Sequence, residues 1–310
     1  LSLLLLPLSW IYVALASVRR ACYALGVCRT VSFSRPVVVV GGVTVGGSGK
    51  TPLVMHVARL LRERGCRPGI VSRGYGGAPR RTPLLVGPDT PASECGDEPA
   101  MMARNMDVPV VVDADRPRGV NELISRYGCD IVISDDGLQH YAMDRQVEIA
   151  VVGGEAGLGN GFCLPAGPLR EPPGRLDEVD AVVYSGGPER PGGYRMELRI
   201  EGLTRLGSGD RAAPDDFRGR RVHAVAGIGN PAGFFAALRA LGLEIEGHSF
   251  PDHHRYLPAD FAAMAGAPIV MTEKDAVKCM DMPLQDAWYT NVSTQLDGGF
   301  DNKLIELLNL

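Results

Sequence analysis

The chain has 310 residues, with 45% apolar and 22% charged side chains, enough length for two ordinary domains and a composition that excludes the disordered and fibrous classes. A formal net charge of −4 supplies no basic surplus for a phosphate backbone and argues against a nucleic-acid partner. Seven scattered cysteines without a C-x-x-C pair fit neither a disulfide framework nor a zinc ribbon, so the main body reads as reduced and cytosolic.

The amino end stands apart. Residues 1–18, LSLLLLPLSWIYVALASV, carry no charge and are followed at once by Arg19 and Arg20. A secretory signal puts its positive charges before the apolar run; here they follow it, which keeps the rest of the chain in the cytoplasm. The run is borderline in length for spanning a bilayer. Pro7, Ser2 and Ser9 equally allow an interfacial helix with Trp10 and Tyr12 near the headgroups, and a buried core helix is a third reading. Residues 1–30 are expected to form a membrane-associated helix. The chain opens on leucine, which leaves room for residues upstream.

Next, Val37, Val38, Val39 and Val40 make a continuous β-branched run, the pattern of a strand buried on both faces. Residues 51–64 carry Leu53, Val54, Val57, Leu60 and Leu61 at helical spacing, closed by Gly65. Between them lies Thr44-Val45-Gly46-Gly47-Ser48-Gly49-Lys50-Thr51. It gathers backbone N–H groups, an ammonium and a hydroxyl at a helix start, where the dipole favours anions. Lys50 is placed for the β/γ-phosphates of a nucleotide and Thr51 for Mg²⁺. The strict phosphate-loop pattern has glycine where this chain has Thr44, so the loop is a variant. A flexible turn before a helix would leave Lys50-Thr51 at its mouth unexplained.

Strand-like runs at 109–112, 130–134, 147–152 and 181–184, with helix-like stretches such as 118–127 between some of them, predict a mostly parallel α/β sheet of the P-loop NTPase kind over 31–215. Residues 186–193 and 207–216 are rich in Gly, Pro and charge, and the domain boundary is placed near the second. A smaller α/β domain is expected over 216–310: the strand VHAVAG from Arg221, a glycine turn, a helix at 234–241, a strand at 268–272 and a last amphipathic helix at 302–308, able to pack back on the first domain.

Further motifs bear on chemistry. DIVISDDGLQH, residues 130–140, is a strand ending in Asp135 and Asp136, as a second metal-side motif would; an Asp pair after a strand serves equally as a turn or a helix cap. Asp97 in GDEP and His253 in PDHH are candidates for the base that takes a proton from an attacking hydroxyl, and could form a pair in which the carboxylate orients the imidazole and raises its basicity. A histidine beside an aspartate is more often a surface or hydrogen-bonding residue, and His253-His254 without a nearby cysteine argues against zinc. Arg170, in the proline-bracketed GPLREP, is suited to holding phosphoryl oxygens in a fixed fork. Arg73 in SRGYGG and Arg116 are similar candidates, against the commoner solvated role. Gly227-Ile228-Gly229 lacks the third glycine of a dinucleotide turn.

Taken together, LLPLSW, VVVVGG followed by GGSGKTP, VSRGYGG, GDEP, DDGLQH, GNGFCLPAGPLRE, FPDHH and MTEKDAVK resemble, nearly end to end, the tetraacyldisaccharide 4'-kinases (lipid A 4'-kinases) of Gram-negative bacteria. The resemblance implies transfer of the ATP γ-phosphate, with Mg²⁺, to the 4'-hydroxyl of an acylated glucosamine disaccharide 1-phosphate on the cytoplasmic face of the inner membrane, giving lipid IVA. No obligate protein partner is implied. It makes Lys50 and Thr51 the phosphate and Mg²⁺ contacts, Asp135 and Asp136 the metal-side carboxylates, and Asp97 with His253 a proton-accepting pair that meets across the domain interface. Arg170 and Glu171 would line the same cleft, Glu171 on the metal side, with Arg73, Arg116, Gln139 and His140 toward the lipid substrate. Gly42 departs from the pattern, where asparagine is expected, and bears on a local turn contact.

Rival readings lose their marks. A partitioning ATPase or nucleotide switch with a similar loop carries a lysine where Val45 stands, and a GTPase needs a spacer that Glu273-Lys274-Asp275 lacks. A membrane-anchored structural protein with a relic nucleotide fold would catalyse no transfer.

Overall fold

The computed structural model describes residues 2–154, 156–188 and 190–310. In chain order its strands are β1 (Val37–Gly42), β2 (Pro68–Ser72), β3 (Leu84–Val86), β4 (Val110–Val112), β5 (Ile131–Asp135), β6 (Val147–Gly153), β7 (Ala181–Ser185), β8 (Tyr194–Arg205), β9 (Arg211–Ala212), β10 (Arg221–Ala226), β11 (Glu244–Ser249), β12 (Ile269–Met271) and β13 (Ala287–Leu296). The helices are α1 (Leu6–Ala24), α2 (Lys50–Glu63), α3 (Ala92–Cys95), α4 (Asp97–Asn105), α5 (Arg116–Ser125), α6 (Pro231–Ala240), α7 (Glu273–Ala276) and α8 (Gly299–Leu308).

β1 is buried at every position and pairs in parallel with β5 on one side and β6 on the other. Its alternate residues feed different layers: Val38 and Val40 pack with Leu53 and Val57 of α2, while Val37 and Val39 pack with Val120 and Leu123 of α5. Two covered faces explain an unbroken valine run where a half-exposed strand would alternate.

One sheet runs through the whole molecule in the order β11-β10-β12-β13-β8-β7-β6-β1-β5-β2-β4-β3, with β9 on β8. Its pairings are parallel except β3 with β4, β8 with β9 and β8 with β13. β8 joins the two halves: Tyr194, Arg195 and Met196 pair with β7, while Met196 onward pairs with β13 as far as Trp288. The expected break between two α/β units is thus bridged by an antiparallel ribbon. Beyond the ribbon the smaller lobe has its own two apolar layers, one around Phe217 and Leu238 and one around Phe261 and Met264.

α8 returns to the larger lobe, where Phe300, Leu304 and Ile305 join the layer under α2 and His56 Nε2 lies 2.8 Å from Asp301. At the other end, α1 is no core helix: among residues 2–24 only Ser9 is buried. Ser9 donates to the Cys163 carbonyl at 2.7 Å, Tyr12 to that of Arg170 at 2.9 Å, and Arg20 pairs with Glu178. Leu8, Ile11, Leu15 and Val18 form an exposed apolar stripe at helical spacing.

Candidate active site

The phosphate loop is built by backbone geometry. Gly49 caps α2 at φ 85°, a left-handed conformation open to glycine without Cβ strain, and a Cβ there would sit 2.6 Å from Ser185 Oγ. Thr44 bridges to Leu169, Val45 N donates to the Pro168 carbonyl at 2.9 Å, and Arg170 N donates to that of Val43 at 2.7 Å. The Arg170 loop is thereby laced to the phosphate loop. Arg170 Nη1 contacts both oxygens of Asp136, at 2.8 and 2.9 Å. Lys50 Nζ donates to the Gly46 carbonyl at 3.3 Å and lies 3.8 Å from Asp136.

Two neighbouring carboxylates are shifted in opposite directions. Burial alone would raise Asp136, but Lys50 and then Arg170 outweigh it and hold the group below the usual carboxylate range. Its φ of 48° is uncommon for a non-glycine residue and marks a conformation that the surroundings impose. Asp135, at the end of β5, is pushed up to about 7 by burial, then by Glu98 and Asp136. Ser72 donates to its Oδ2 at 3.0 Å, whereas Oδ1 is buried without a partner, as is Ser48 Oγ in the loop. Orphaned buried oxygens near the start of α2, where Thr51 is also buried, fit a hard divalent cation with oxygen ligands.

Arg116 lies beneath this pair. It is buried, donates to Ser134 Oγ at 2.6 Å, and burial lowers its pKa against the pull of Asp135 and Asp136. Gln139 donates to Glu171 at 2.7 Å and to the Gly42 carbonyl at 3.2 Å, and Tyr141 also donates to Glu171. The contact at Gly42 is therefore through its backbone. Glu171 is buried in this wall of the cleft. His140 is half-buried; burial, then Arg116 and Arg145, push it down to about 4, so it is neutral. Arg73 is exposed in the loop after β2.

The second half of the site comes from the meeting of the lobes. Asp97 is the first residue of α4 and is buried. His253 Nδ1 lies 3.0 and 3.1 Å from its two carboxylate oxygens, and Tyr75 stands edge-on to the imidazole with ring centroids 4.9 Å apart. Lys274, on α7, reaches Glu98 at 3.0 Å, Asp252 at 3.1 Å and His253 Nε2 at 3.4 Å. Burial would lower the lysine pKa, but Glu98 and then Asp252 raise it, so the ammonium stays charged. Lys278 lies 3.9 Å from Asp97. The lobes also touch at the loop itself, where a Cβ on Gly229 would meet Gly47 N at 2.6 Å.

Lys274 and Gly229 are the residues that motif reading passed over as site residues. The signal for the lysine was its place in MTEKDAVK; the glycine turn resembled a weak nucleotide motif, and its contact is a close backbone approach. The assembled parts are an anion cradle, an arginine fork, orphaned oxygens for a cation and a carboxylate–imidazole pair. That set suits phosphoryl transfer to a hydroxyl.

The comparisons agree with this chemistry. The sequence model of the tetraacyldisaccharide-1-P 4'-kinase family matches residues 1–309. A tetraacyldisaccharide 4'-kinase of Methylobacillus flagellatus is 44% identical over 308 residues, covering 99% of this chain and 92% of the relative. One from Aromatoleum aromaticum is 48% identical over 317 residues, covering 98% and 93%. Among solved structures, LpxK from Aquifex aeolicus in complex with ATP superposes with a TM-score of 0.83 at 28% identity, covering 99% of both chains. With the whole length matched, the chain belongs to the tetraacyldisaccharide-1-P 4'-kinase family.

Proposed function

We propose that this protein transfers the γ-phosphate of ATP, with Mg²⁺, to the 4'-hydroxyl of a tetraacylated glucosamine disaccharide 1-phosphate, giving lipid IVA at the cytoplasmic face of the inner membrane of a Gram-negative bacterium. Membership of the family makes it an ATP-dependent kinase of lipid A biosynthesis. The observation that carries the residue assignment is the meeting of Asp97 with His253 across the lobes, beside a phosphate loop that the Gly229 turn touches.

In this reading the backbone of residues 44–49 cradles the nucleotide phosphates, and Lys50 with Arg170 neutralises charge on the transferring group. Thr51, Asp135 and Asp136 would hold Mg²⁺, which when bound would neutralise charge at the phosphate oxygens; Glu171, expected on the metal side, instead has both oxygens engaged by Gln139 and Tyr141 and would brace the cleft wall. Asp97 and His253 take the proton of the attacking hydroxyl, and α4 presents its amino end to the carboxylate. Lys274 fixes the histidine loop. Arg73, Gln139 and His140 face the acceptor lipid, with the exposed Arg73 free to reach an anionic headgroup, whereas Arg116, expected on the same side, is buried against Ser134 and braces the Asp135 and Asp136 pair from beneath.

Residues 31–215 act as the phosphate-loop domain, 216–310 as the domain that closes over the nucleotide, and 1–30 as the membrane element. The polar anchors at Ser9, Tyr12 and Arg20 tie α1 to the body along its length, while its apolar stripe is exposed. This favours a helix lying in the interface over one that spans. The test is transfer of labelled γ-phosphate from Mg-ATP to the purified disaccharide 1-phosphate in detergent micelles, with His253→Ala as control. Lipid labelling that needs His253 is expected; hydrolysis of ATP without lipid labelling would favour a nucleotide switch instead.

A further inference from the structure

The smaller lobe carries a side-chain cluster that phosphoryl transfer does not use. His223 of β10 pairs in parallel register with Glu246 of β11, and His248 follows two residues later. Parallel partners and i, i+2 neighbours share a face of the sheet, so all three side chains stand together on one face, over the terminal strand β11 and its neighbour β10. His223 Nδ1 and His248 Nε2 are 3.0 Å apart. The two Glu246 oxygens divide between them, one 3.8 Å from His223 and the other 3.9 Å from His248. Among the described residues this is the one group of three such side chains whose ligand atoms converge.

A shared proton accounts for two imidazole nitrogens at this spacing, since only one of the facing atoms carries hydrogen. It does not account for a carboxylate that straddles the same gap. A tetrahedral ion with bonds of about 2.0–2.1 Å sets its donor atoms roughly 3.3 Å apart; the imidazole nitrogens, 3.0 Å apart, are close to that spacing, and one Glu246 oxygen has to swing inward to reach both. Glu246 is exposed and its long side chain can take up that difference. The arginine that holds it, Arg221 at 2.9 Å, is exposed too, so the competing ion pair is a weak one. Two imidazoles and one carboxylate suit a borderline transition ion and disfavour Mg²⁺, which takes oxygen ligands.

We infer that His223, Glu246 and His248 form a binding site for a divalent transition-metal ion, with Zn²⁺ the best match and an open position left to water. The site ties the edge strand to its neighbour. Both strands lead directly into the catalytic cleft: β10 runs into the Gly227–Gly229 turn against the phosphate loop, and β11 into the segment that delivers His253. An ion here would fix the two strands, and so the loops that follow them, relative to each other.

The experiment uses the full-length protein in detergent, stripped with chelator and titrated with Zn²⁺ against a chromophoric competitor, then with Co²⁺. One Zn²⁺ per chain is expected, with affinity falling at least about ten-fold in His248→Ala and in Glu246→Gln. Both residues lie on the edge strand, so the variants retain the fold, as circular dichroism will report. The Co²⁺ spectrum should show nitrogen and oxygen ligation without a thiolate charge-transfer band. A dissociation constant weaker than about 100 μM, uptake indifferent to both substitutions, or a thiolate spectrum would each overturn the assignment. Metal uptake is read without the kinase assay, so the outcome is independent of the catalytic reading.

Discussion

Asp97 and His253 are 156 residues apart in sequence, and their side chains meet at 3.0 Å across the two lobes. The carboxylate is buried at the first turn of α4 and the imidazole sits on a residue at φ 59°, so each is presented by a constrained backbone. If the two act as one proton-accepting unit, Asp97→Asn and His253→Gln should each lower kcat by about 10²–10⁴ and leave the KM for ATP nearly unchanged. The double variant should be little worse than the more damaged single, because residues that act as a unit are not additive. Steady-state kinetics on the three variants checks this; additive losses would separate their roles.

Lys274 ties the histidine loop to α4 through Asp252 and Glu98. Its removal leaves two carboxylates facing each other in a partly buried pocket without their cation. Lys274→Met is therefore expected to lower kcat by roughly 10–100-fold, the scale of a misplaced catalytic group. Lys274→Arg, which keeps the charge, should recover most of it. Equal damage in both variants would show that shape and not charge is what matters there.

At Gly229 the lobes approach so closely that a methyl group would lie 2.6 Å from the backbone nitrogen of Gly47. Overpacking of this kind costs about 1–3 kcal/mol, and here it falls on the contact between the lobes. Gly229→Ala should raise the KM for ATP or lower kcat by about ten-fold or more, with thermal stability of the separate cores little changed. Gly47→Ala, whose nearest contact is 3.4 Å, should be milder. Equal kinetics in the two variants would exclude the contact as a closure stop.

The parts of this molecule legible in its sequence are those where one local signal dominates. β1 and α2 read clearly because a valine run and a 3.6-residue period each have one physical cause. β8 and β13 did not, because YRMELRIEGLTR interleaves charge with its apolar residues and finds its partner some ninety residues downstream. The edge strand β11, EIEGHS, is mostly polar for the same reason that it was missed: one of its sides has no neighbour. In the site, the phosphate loop was legible as local chemistry, and the Asp97 and His253 pair was one candidate among the residues that the family resemblance then singled out. Lys274 and Gly229 were not assigned, since a cross-lobe bridge and a backbone approach are properties of the assembled lobes.

The exposed stripe of Leu8, Ile11, Leu15 and Val18 on α1 leads to a prediction about the membrane. Each such side chain contributes about 1.5–3 kcal/mol on full burial. Replacing Leu8, Ile11 and Leu15 by serine should weaken binding to phospholipid vesicles by about two orders of magnitude or more, while Ser9 and Tyr12 keep the helix on the body. Vesicle flotation measures the loss. Undiminished flotation would mean that another surface carries the attachment.

His140 supplies a pH dependence whose sign is fixed by its burial. Burial, then Arg116 and Arg145, hold this base at about 4 in the folded protein, below its ordinary value of 6.5. Between those values the unfolded chain binds the extra proton, so stability falls as the solution is acidified. The contribution is intact above about pH 6.5 and is lost as pH falls toward the folded value. His140→Gln cannot take up the proton, so its melting temperature should decline less steeply than that of the parent between about pH 7 and 4.5. The carboxylates common to both proteins cancel in the difference. Calorimetric melts across that range decide the matter, and parallel curves would mean that the folded protein accommodates a charged His140 as readily as the unfolded chain does.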